Sequence, residues 1–528
     1  MTTRVYPAYI GGREVTSESG HRVHTVTTRA IIEDTFPSLR LKRDLDLGKA
    51  DLTTAGDVVA GACELADDAM VQQSLEAAAA AAPAWARVPL AERLEIGRQI
   101  ARRLLAHREP LVDLLVAEGQ PRSVAEGMIS GLPETGWSEE TLQWCAEQMA
   151  TTRHDGVREM TLRRVPDGVV CLNPPQNAAT VNALNGLTAL LSGNTLVVRA
   201  PRGVPLSCMY AMREVVAPVL EDAGAPAGTL NALCGAPMLD AWLASEHVDD
   251  VIYFGGSAMG LRFEQDCVAA RKKPILELAG NDCCVVWRDA DLDDAVQSLT
   301  QFFMNSGQIC NVPNQVIAHP AIADELIERL VAAMSGIRPG FPEEPGVVLT
   351  PVLGADWFYG CLAEALARGA RLVHGGRRLE VDGRPSDTGF FLEPTVVRID
   401  GLHGARNLSV VRDETFFPLL PIVVPAAGGS DDALFDEVLA FVNANAYGLR
   451  NSLWTSDPGT IERYLDTVTN GGNLKVNDSH SGFLPFLPNQ GGTGLTGGAF
   501  GEASHPMLRT THLQAVSVIR PRSASAPR

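Results

Sequence analysis

The sequence predicts an α/β fold built on parallel sheets, and three observations predict it. Short apolar runs bounded by turn residues (GVVCL, NTLVVRA, DDVIYFGG and CCVVWRD) read as strands buried on both faces. Longer segments such as CMYAMREVVAPVLEDAG and AIADELIERLVAAMSG carry apolar residues at helical spacing. The two kinds alternate, and a strand–helix–strand order closes into parallel sheet through crossover helices.

Residues 1–56 are polar and rich in Thr and Arg, with short alternating runs such as RVHTVTT that predict strands or an arm. From about 57 to 150 the pattern turns helical, clearest in ERLEIGRQIARRLLAHREPLVDLLVAEG. After Gly156 the β-rich alternation begins. Near the C-terminus the glycine-rich GGTGLTGGAFG predicts a loop beside a site or interface, and PRSASAPR a frayed tail. No internal repeat interrupts this order.

Composition narrows the function classes. The 528 residues, 45% hydrophobic, suffice for roughly two to four domains. Forty-four Lys+Arg against 63 Asp+Glu leave a net charge of −19. Such a chain lacks the basic face of a nucleic-acid binder and the polybasic patch of a membrane anchor. Ten cysteines are too few for a disulfide scaffold, and no spacing suits a zinc site, so no metal is expected. MTTRVYPAYIGGREV holds no apolar core of signal-peptide length. LEAAAAAAPAWA at 75–86 is too short and too weakly apolar to span a bilayer. The expectation is a cytoplasmic protein with reduced cysteines.

Four segments can bear chemistry. Asn177 lies in a polar loop between a strand and a long helix; an amide there donates two hydrogen bonds, although taken alone a turn or cap asparagine is the commoner reading. VIYFGGSAMG is a strand entering a glycine turn; backbone N–H groups at such a helix start bind phosphate, and Gly256 and Ser257 stand there, but a plain strand–helix turn fits too. Glu277 interrupts the apolar run PILELAGN. Burial raises a carboxyl pKa toward the range a general base needs, unless a partner holds it as a structural residue. Cys310 ends QFFMNSGQIC in a small, polar turn, a setting for a nucleophile, while the other nine cysteines read as buried filler.

In this order the segments resemble the aldehyde dehydrogenase superfamily. ELAGN is similar to its Glu-Leu-Gly-Gly segment, NSGQIC to its Gly-Gln-x-Cys nucleophile turn, and YFGGS to its Phe-Thr-Gly-Ser phosphate turn. DADLDDAV, SGNTLVVRAPRGVPLS, DETFFPLLPIV and ANAYGLRNSLWTSD extend the likeness from about 60 to about 520. The resemblance implies NAD(P)-dependent oxidation of an aldehyde to a carboxylic acid through a cysteine thioester. It implies Cys310 as nucleophile, Glu277 as general base, and Asn177, preferred over Asn173, as the oxyanion donor. Glu414 and Phe416 would hold the nicotinamide ribose and ring, and Gly256 and Ser257 the pyrophosphate. It also implies three parts: a Rossmann-like cofactor domain at 57–277, interrupted by oligomerisation strands at 151–166, a catalytic α/β domain at 278–488, and a C-terminal arm at 489–528, with 1–56 as an N-terminal extension. A homodimer or homotetramer is the expected assembly.

Departures from the family pattern shape the remaining expectations. Arg199 replaces a Lys that binds the adenosine ribose, and Arg202 stands where NAD-preferring relatives carry a Glu. A Glu repels a 2′-phosphate, whereas Arg pairs with it, so NADP is expected to be favoured over NAD. Gln176 and Ala178 remove bulk near the substrate tunnel, with His480, Phe483 and Phe486 on the loop at its mouth. Two alternatives differ in chemistry: a coenzyme-A-acylating or acyl-thioester-reducing enzyme, which commonly lacks the base Glu, and a non-catalytic binding protein on the same fold.

Overall fold

The structure, a computed structural model, describes residues 4–52, 55–501 and 504–519. The tail PRSASAPR at 521–528 lies outside the described residues. Two seven-stranded sheets organise the chain. In the first, the strands Lys273–Glu277, Asp250–Phe254, Val169–Asn173, Thr195–Pro201 and Leu230–Gly235 lie side by side and parallel. These contain three of the four runs expected as strands (CCVVWRD falls in the second sheet), and nearly every residue in them is buried because helices cover both faces. In the second sheet Arg371–His374 pairs antiparallel with Thr395–Asp400, and five parallel strands follow in space: Leu419–Val424, Gln315–Ala318, Cys283–Val286, Arg450–Trp454 and Asn473–Val476.

The first 56 residues hold four short strands and the helices Thr28–Glu33 and Thr35–Asp46. Ala8–Ile10 and Arg13–Val15 extend the first sheet antiparallel at the edge next to Leu230–Gly235. Arg4–Tyr6 and Arg22–Val26 flank Val59–Glu64 in a small separate sheet. That last strand corrects the expectation that the helical region begins near 57. VAGACE is short and rich in small residues, so it carries neither period clearly, and pairing decides its state. The helical stretch proper starts at Asp68, whose preceding Asp67 caps the helix Asp68–Trp85 by accepting from the Met70 N–H. Among the described residues no helix is long and apolar enough to cross a membrane.

Ala150–His154, Arg158–Pro166 and Thr511–Ile519 form a three-stranded antiparallel arm. Its register puts Leu513 opposite Arg164, Ala515 opposite Leu162, Ser517 opposite Met160 and Ile519 opposite Arg158. Period-two alternation therefore gathers Met160, Leu162, Leu513 and Ile519 on one face, and all four are exposed.

The two large sheets meet with opposite ends. Asn177, Gly256 and Glu277 follow or close strands of the first sheet at its carboxyl edge. Cys310, Glu414 and Phe416 precede strands of the second sheet at its amino edge. The site lies where these edges face each other, the position parallel α/β sheets reserve for ligands.

Candidate active site

A cavity of about 220 Å³ between the two edges is lined by Asn177, Gly256, Glu277, Cys310, Glu414 and Phe416, together with neighbouring backbone. Glu277 is the last residue of the strand Lys273–Glu277 and is buried. Its Oε1 lies 3.8 Å from the Cys310 Sγ, and its Oε2 is buried with no partner. Burial raises its pKa to about 8, opposed by the Arg450 guanidinium and the Cys310 thiol. Cys310 is the one cysteine of ten that is not fully buried. Desolvation first, then Glu277 and Glu414, push its thiol well above the usual range.

The approach of these two segments depends on Gly280. A Cβ at that position would lie 2.0 Å from the Cys310 carbonyl oxygen, so the second Gly of the family segment is retained while the first is Ala279. Glu414 pins the same stretch by accepting the Gly280 N–H at 2.9 Å. Its pKa is also raised by burial to about 8. Phe416 adopts φ +54°, a left-handed conformation rare for a bulky residue.

The turn before Cys310 is more contorted than the small-residue turn expected. Asn305, Ser306 and Gly307 have φ of +51°, +54° and +72° in succession. Neighbouring chain holds this turn: the Asn305 N–H donates to Val348 O at 2.8 Å, and Ser306 Oγ donates to Thr350 O at 2.7 Å. Asn177 reaches it directly, its Nδ2 donating to Gln308 O at 3.2 Å. Asn173 instead ends its strand, buried.

A family model described as "Aldehyde dehydrogenase family" matches residues 51–515, nearly the whole chain. The chain belongs to the aldehyde dehydrogenase family. It is 28% identical over 450 residues to 3,6-anhydro-alpha-L-galactose dehydrogenase of Vibrio sp. (strain EJY3), covering 83% of this chain and 89% of that relative. It is 29% identical over 413 residues to the NADP(+) succinate-semialdehyde dehydrogenase of Escherichia coli (strain K12), covering 75% and 80%. The fold matches the NAD-dependent aldehyde dehydrogenase from Sinorhizobium meliloti with a TM-score of 0.81 at 23% identity, over 99% of this chain and 96% of that one.

Other expected site residues of the enzyme lie apart from the cavity. Arg199 is buried at the end of the strand Thr195–Pro201, where Nη2 donates to Pro174 O at 2.8 Å and Nη1 to Gly235 O at 3.4 Å. Its charge thus bridges the ends of the two adjacent strands. Arg202, three residues on, is exposed. Ser257 opens the helix Ser257–Ala269, and its Oγ is buried without a partner. Gln176 is exposed, its amide lying against Gly203. His480 is not at a tunnel mouth. It is fully buried, with Nδ1 2.7 Å from Ser452 Oγ, and burial beside Arg450 and Lys475 drives its pKa well down. Phe483 and Phe486 are partly exposed, and the Arg450 guanidinium stacks over Phe483 at 4.6 Å.

Sequence reasoning missed three residues beside the site. Arg450, fully buried, donates from Nη1 to His480 O and Gly482 O at 3.2 and 3.0 Å, and its backbone N–H donates to Asp282. Asp282 is buried with its pKa raised well above the ordinary value. A charged residue inside the apolar run YGLRNSLW was the available signal, the same signal that drew attention to Glu277. The third is Gln120, whose amide joins the Asn177 loop to the nucleophile turn.

Proposed function

We propose that the enzyme oxidises a small-molecule aldehyde to its carboxylic acid with NAD(P), using Cys310 as nucleophile, Glu277 as general base and Asn177 as oxyanion donor. One observation carries the assignment of roles: a single cavity gathers these three with Gly256, Glu414 and Phe416, and the thiol lies 3.8 Å from the carboxyl. A free thiol with pKa about 8.5 is only a few per cent thiolate at pH 7, so the nucleophile needs a base. In its carboxylate form Glu277, whose proton affinity burial increases, can accept the thiol proton. The thiolate adds to the aldehyde carbon, moving the carbonyl electron pair to oxygen. The Asn177 amide has two N–H bonds; with one on Gln308 O, the second is free for that oxyanion, beside the Cys310 backbone N–H. After hydride loss a thioester remains on Cys310. Glu277, once it has released the thiol proton to solvent, takes a proton from water, whose oxygen attacks the thioester; the C–S bond breaks, the acid leaves, and that proton passes to sulfur to reform the thiol.

The residues fit a dinucleotide. The buried, unpartnered Ser257 Oγ and the free N–H groups at the start of its 13-residue helix suit a pyrophosphate, and Glu414 and Phe416 suit the ribose and ring. When bound, the nicotinamide supplies the hydride acceptor. NADP is favoured over NAD in this reading through Arg202, the exposed cation just after the strand Thr195–Pro201, with Arg199 shaping the same edge from inside. The exposed apolar face of the arm supports a homo-oligomer, since Met160, Leu162, Leu513 and Ile519 are exposed among the described residues. Glu277 beside Cys310 weighs against a coenzyme-A-acylating reaction. A panel of aliphatic, aromatic and amino aldehydes assayed with NAD and NADP, following reduced cofactor, tests the activity. Cys310→Ala must abolish turnover; turnover without the thiol, or aldehyde consumption that requires coenzyme A, overturns the reading.

A further inference from the structure

We propose that Gln120 is a positioning residue that sets the distance between the Asn177 amide and the nucleophile turn, acting through a carboxamide bonded to both. The proposal rests on the oxyanion role of Asn177 given above. Gln120 Nε2 donates to the Asn177 carbonyl at 2.8 Å, and its Oε1 accepts from Asn305 Nδ2 at 2.7 Å. The orientation is fixed by chemistry: a flipped amide would set NH₂ against NH₂ at Asn305 and oxygen against oxygen at Asn177. One side chain therefore spans two loops that belong to different sheets. The third side of the triangle is the bond from Asn177 Nδ2 to Gln308 O, at 3.2 Å the longest of the three.

The local sequence holds Gln120 firmly. The helix Arg108–Ala117 ends with the Gly119 N–H on Val116 O at 3.0 Å and the Gln120 N–H on Leu115 O at 2.9 Å, a reversal that requires the left-handed Gly119 at φ +108°. A Cβ there would also approach Thr28 Oγ1 to 2.9 Å. Pro121 follows, where it cannot continue that helix and instead precedes the next, Arg122–Glu134. The far end of the bridge needs such a support. Asn305 and Ser306 are non-glycine residues in left-handed conformation, which L side chains adopt only under strain, so bonds from outside the turn must retain them. Gln120 supplies one of these bonds and ties it to the loop that holds the oxyanion donor. Oxyanion stabilisation depends on tenths of an ångström in donor placement, which makes this bridge part of the chemistry's geometry.

The test is a double-mutant cycle on the full-length enzyme with Gln120→Met, of similar length but without polar atoms, and Asn177→Ala. Gln120→Met should lower kcat by about tenfold or more with KM changed less than about threefold, because a transition-state contact is lost. In the Asn177→Ala background the same substitution should add less than about a twofold loss, since the group it positions is gone. Equal fold-losses in both backgrounds, or full kcat in Gln120→Met, overturn the proposal. An Asn177→Ala enzyme with full kcat instead overturns the oxyanion assignment. Gln120→Glu provides a second reading should Gln120→Met fail to fold. Its carboxylate still accepts from Asn305 but repels the Asn177 carbonyl until protonated. Its kcat relative to wild type should therefore rise as pH falls, and a ratio constant with pH overturns the proposal.

Discussion

Glu277→Gln should make the enzyme more stable at neutral pH while stopping its turnover. The carboxyl is buried at the end of its strand and its pKa is raised from 4.5 to about 8, chiefly by desolvation. In the unfolded chain it ionises above 4.5, whereas in the folded enzyme it keeps its proton until about 8. Folded protein therefore holds the extra proton across that window, and wild-type stability falls as pH rises from about 4.5 to 8. At pH 7 the unfolded state gains about 3 kcal/mol from this ionisation, at about 1.4 kcal/mol per pH unit. At pH 5 the gain is under about 1 kcal/mol. Glutamine does not ionise, so the stability difference between variant and wild type should grow by about 2.5 kcal/mol from pH 5 to pH 7. With about 2.1 cal/mol/K of unfolding entropy per residue, that amounts to an extra 2 °C or so in Tm for a chain melting as one unit. Any pH-independent packing change on substitution cancels in the comparison. The assay is thermal unfolding of both proteins at the two pH values, with rapid-mixing kinetics alongside. Some initial burst of reduced cofactor should remain, slowed because the thiol has lost its base, while steady-state release is blocked because water activation is lost. A Tm difference that does not depend on pH refutes the buried neutral carboxyl, and a full steady-state rate refutes the base assignment.

Asn177→Ala should lower kcat by about 10²–10³ with the protein still folded, measured at saturating aldehyde and cofactor. Arg202→Glu should reduce kcat/KM for NADP by about ten- to a hundredfold and leave NAD little affected, as expected for loss of a charge-assisted bond to a phosphate; equal losses with both cofactors would show that Arg202 does not select. Leu513→Glu, on the exposed apolar face of the arm, should lower the molar mass measured by light scattering, and an unchanged mass would place the subunit interface elsewhere.

How much was legible follows from what each signal depends on. The parallel strands were readable because burial on both faces leaves a short apolar run without alternation, as in the VVCL of Val169–Asn173. Val59–Glu64 was not, since its small residues gain a strand conformation only from the neighbours Arg4–Tyr6 and Arg22–Val26. Six of the residues lining the cavity, Asn177, Gly256, Glu277, Cys310, Glu414 and Phe416, were named from motif order, and each lies at or after the end of a strand or before the start of one. Arg199 was named for the same reason, but its partners Pro174 and Gly235 end neighbouring strands, which sequence spacing does not reveal. Gln120 lay in plain view as Gly-Gln-Pro at a helix end; what escaped the sequence was the meeting of two distant loops, 57 and 185 residues further along the chain, at one amide.

The electrostatics of the site join these pieces into one titrating unit. Cys310, Glu277, Asp282 and Glu414 can each carry negative charge, and burial is the first cause raising every one of them. Arg450 is the cation that opposes the rise at Cys310, Glu277 and Asp282. With the thiol 3.8 Å from the carboxyl, ionising one discourages the other, so the first proton lost from the pair leaves a charge shared between sulfur and carboxylate. The second proton leaves only at much higher pH. Alkylation of Cys310 by iodoacetamide should accordingly rise in two steps with pH in the wild type, the first near the raised value of Glu277. Glu277→Gln removes the partner charge and should give a single step between those two, since the thiol then ionises against Asp282, Glu414 and Arg450 alone. One step at the same midpoint in both enzymes would mean that the thiol and the carboxyl titrate independently, and the shared proton on which the proposed nucleophile activation depends would have to be abandoned.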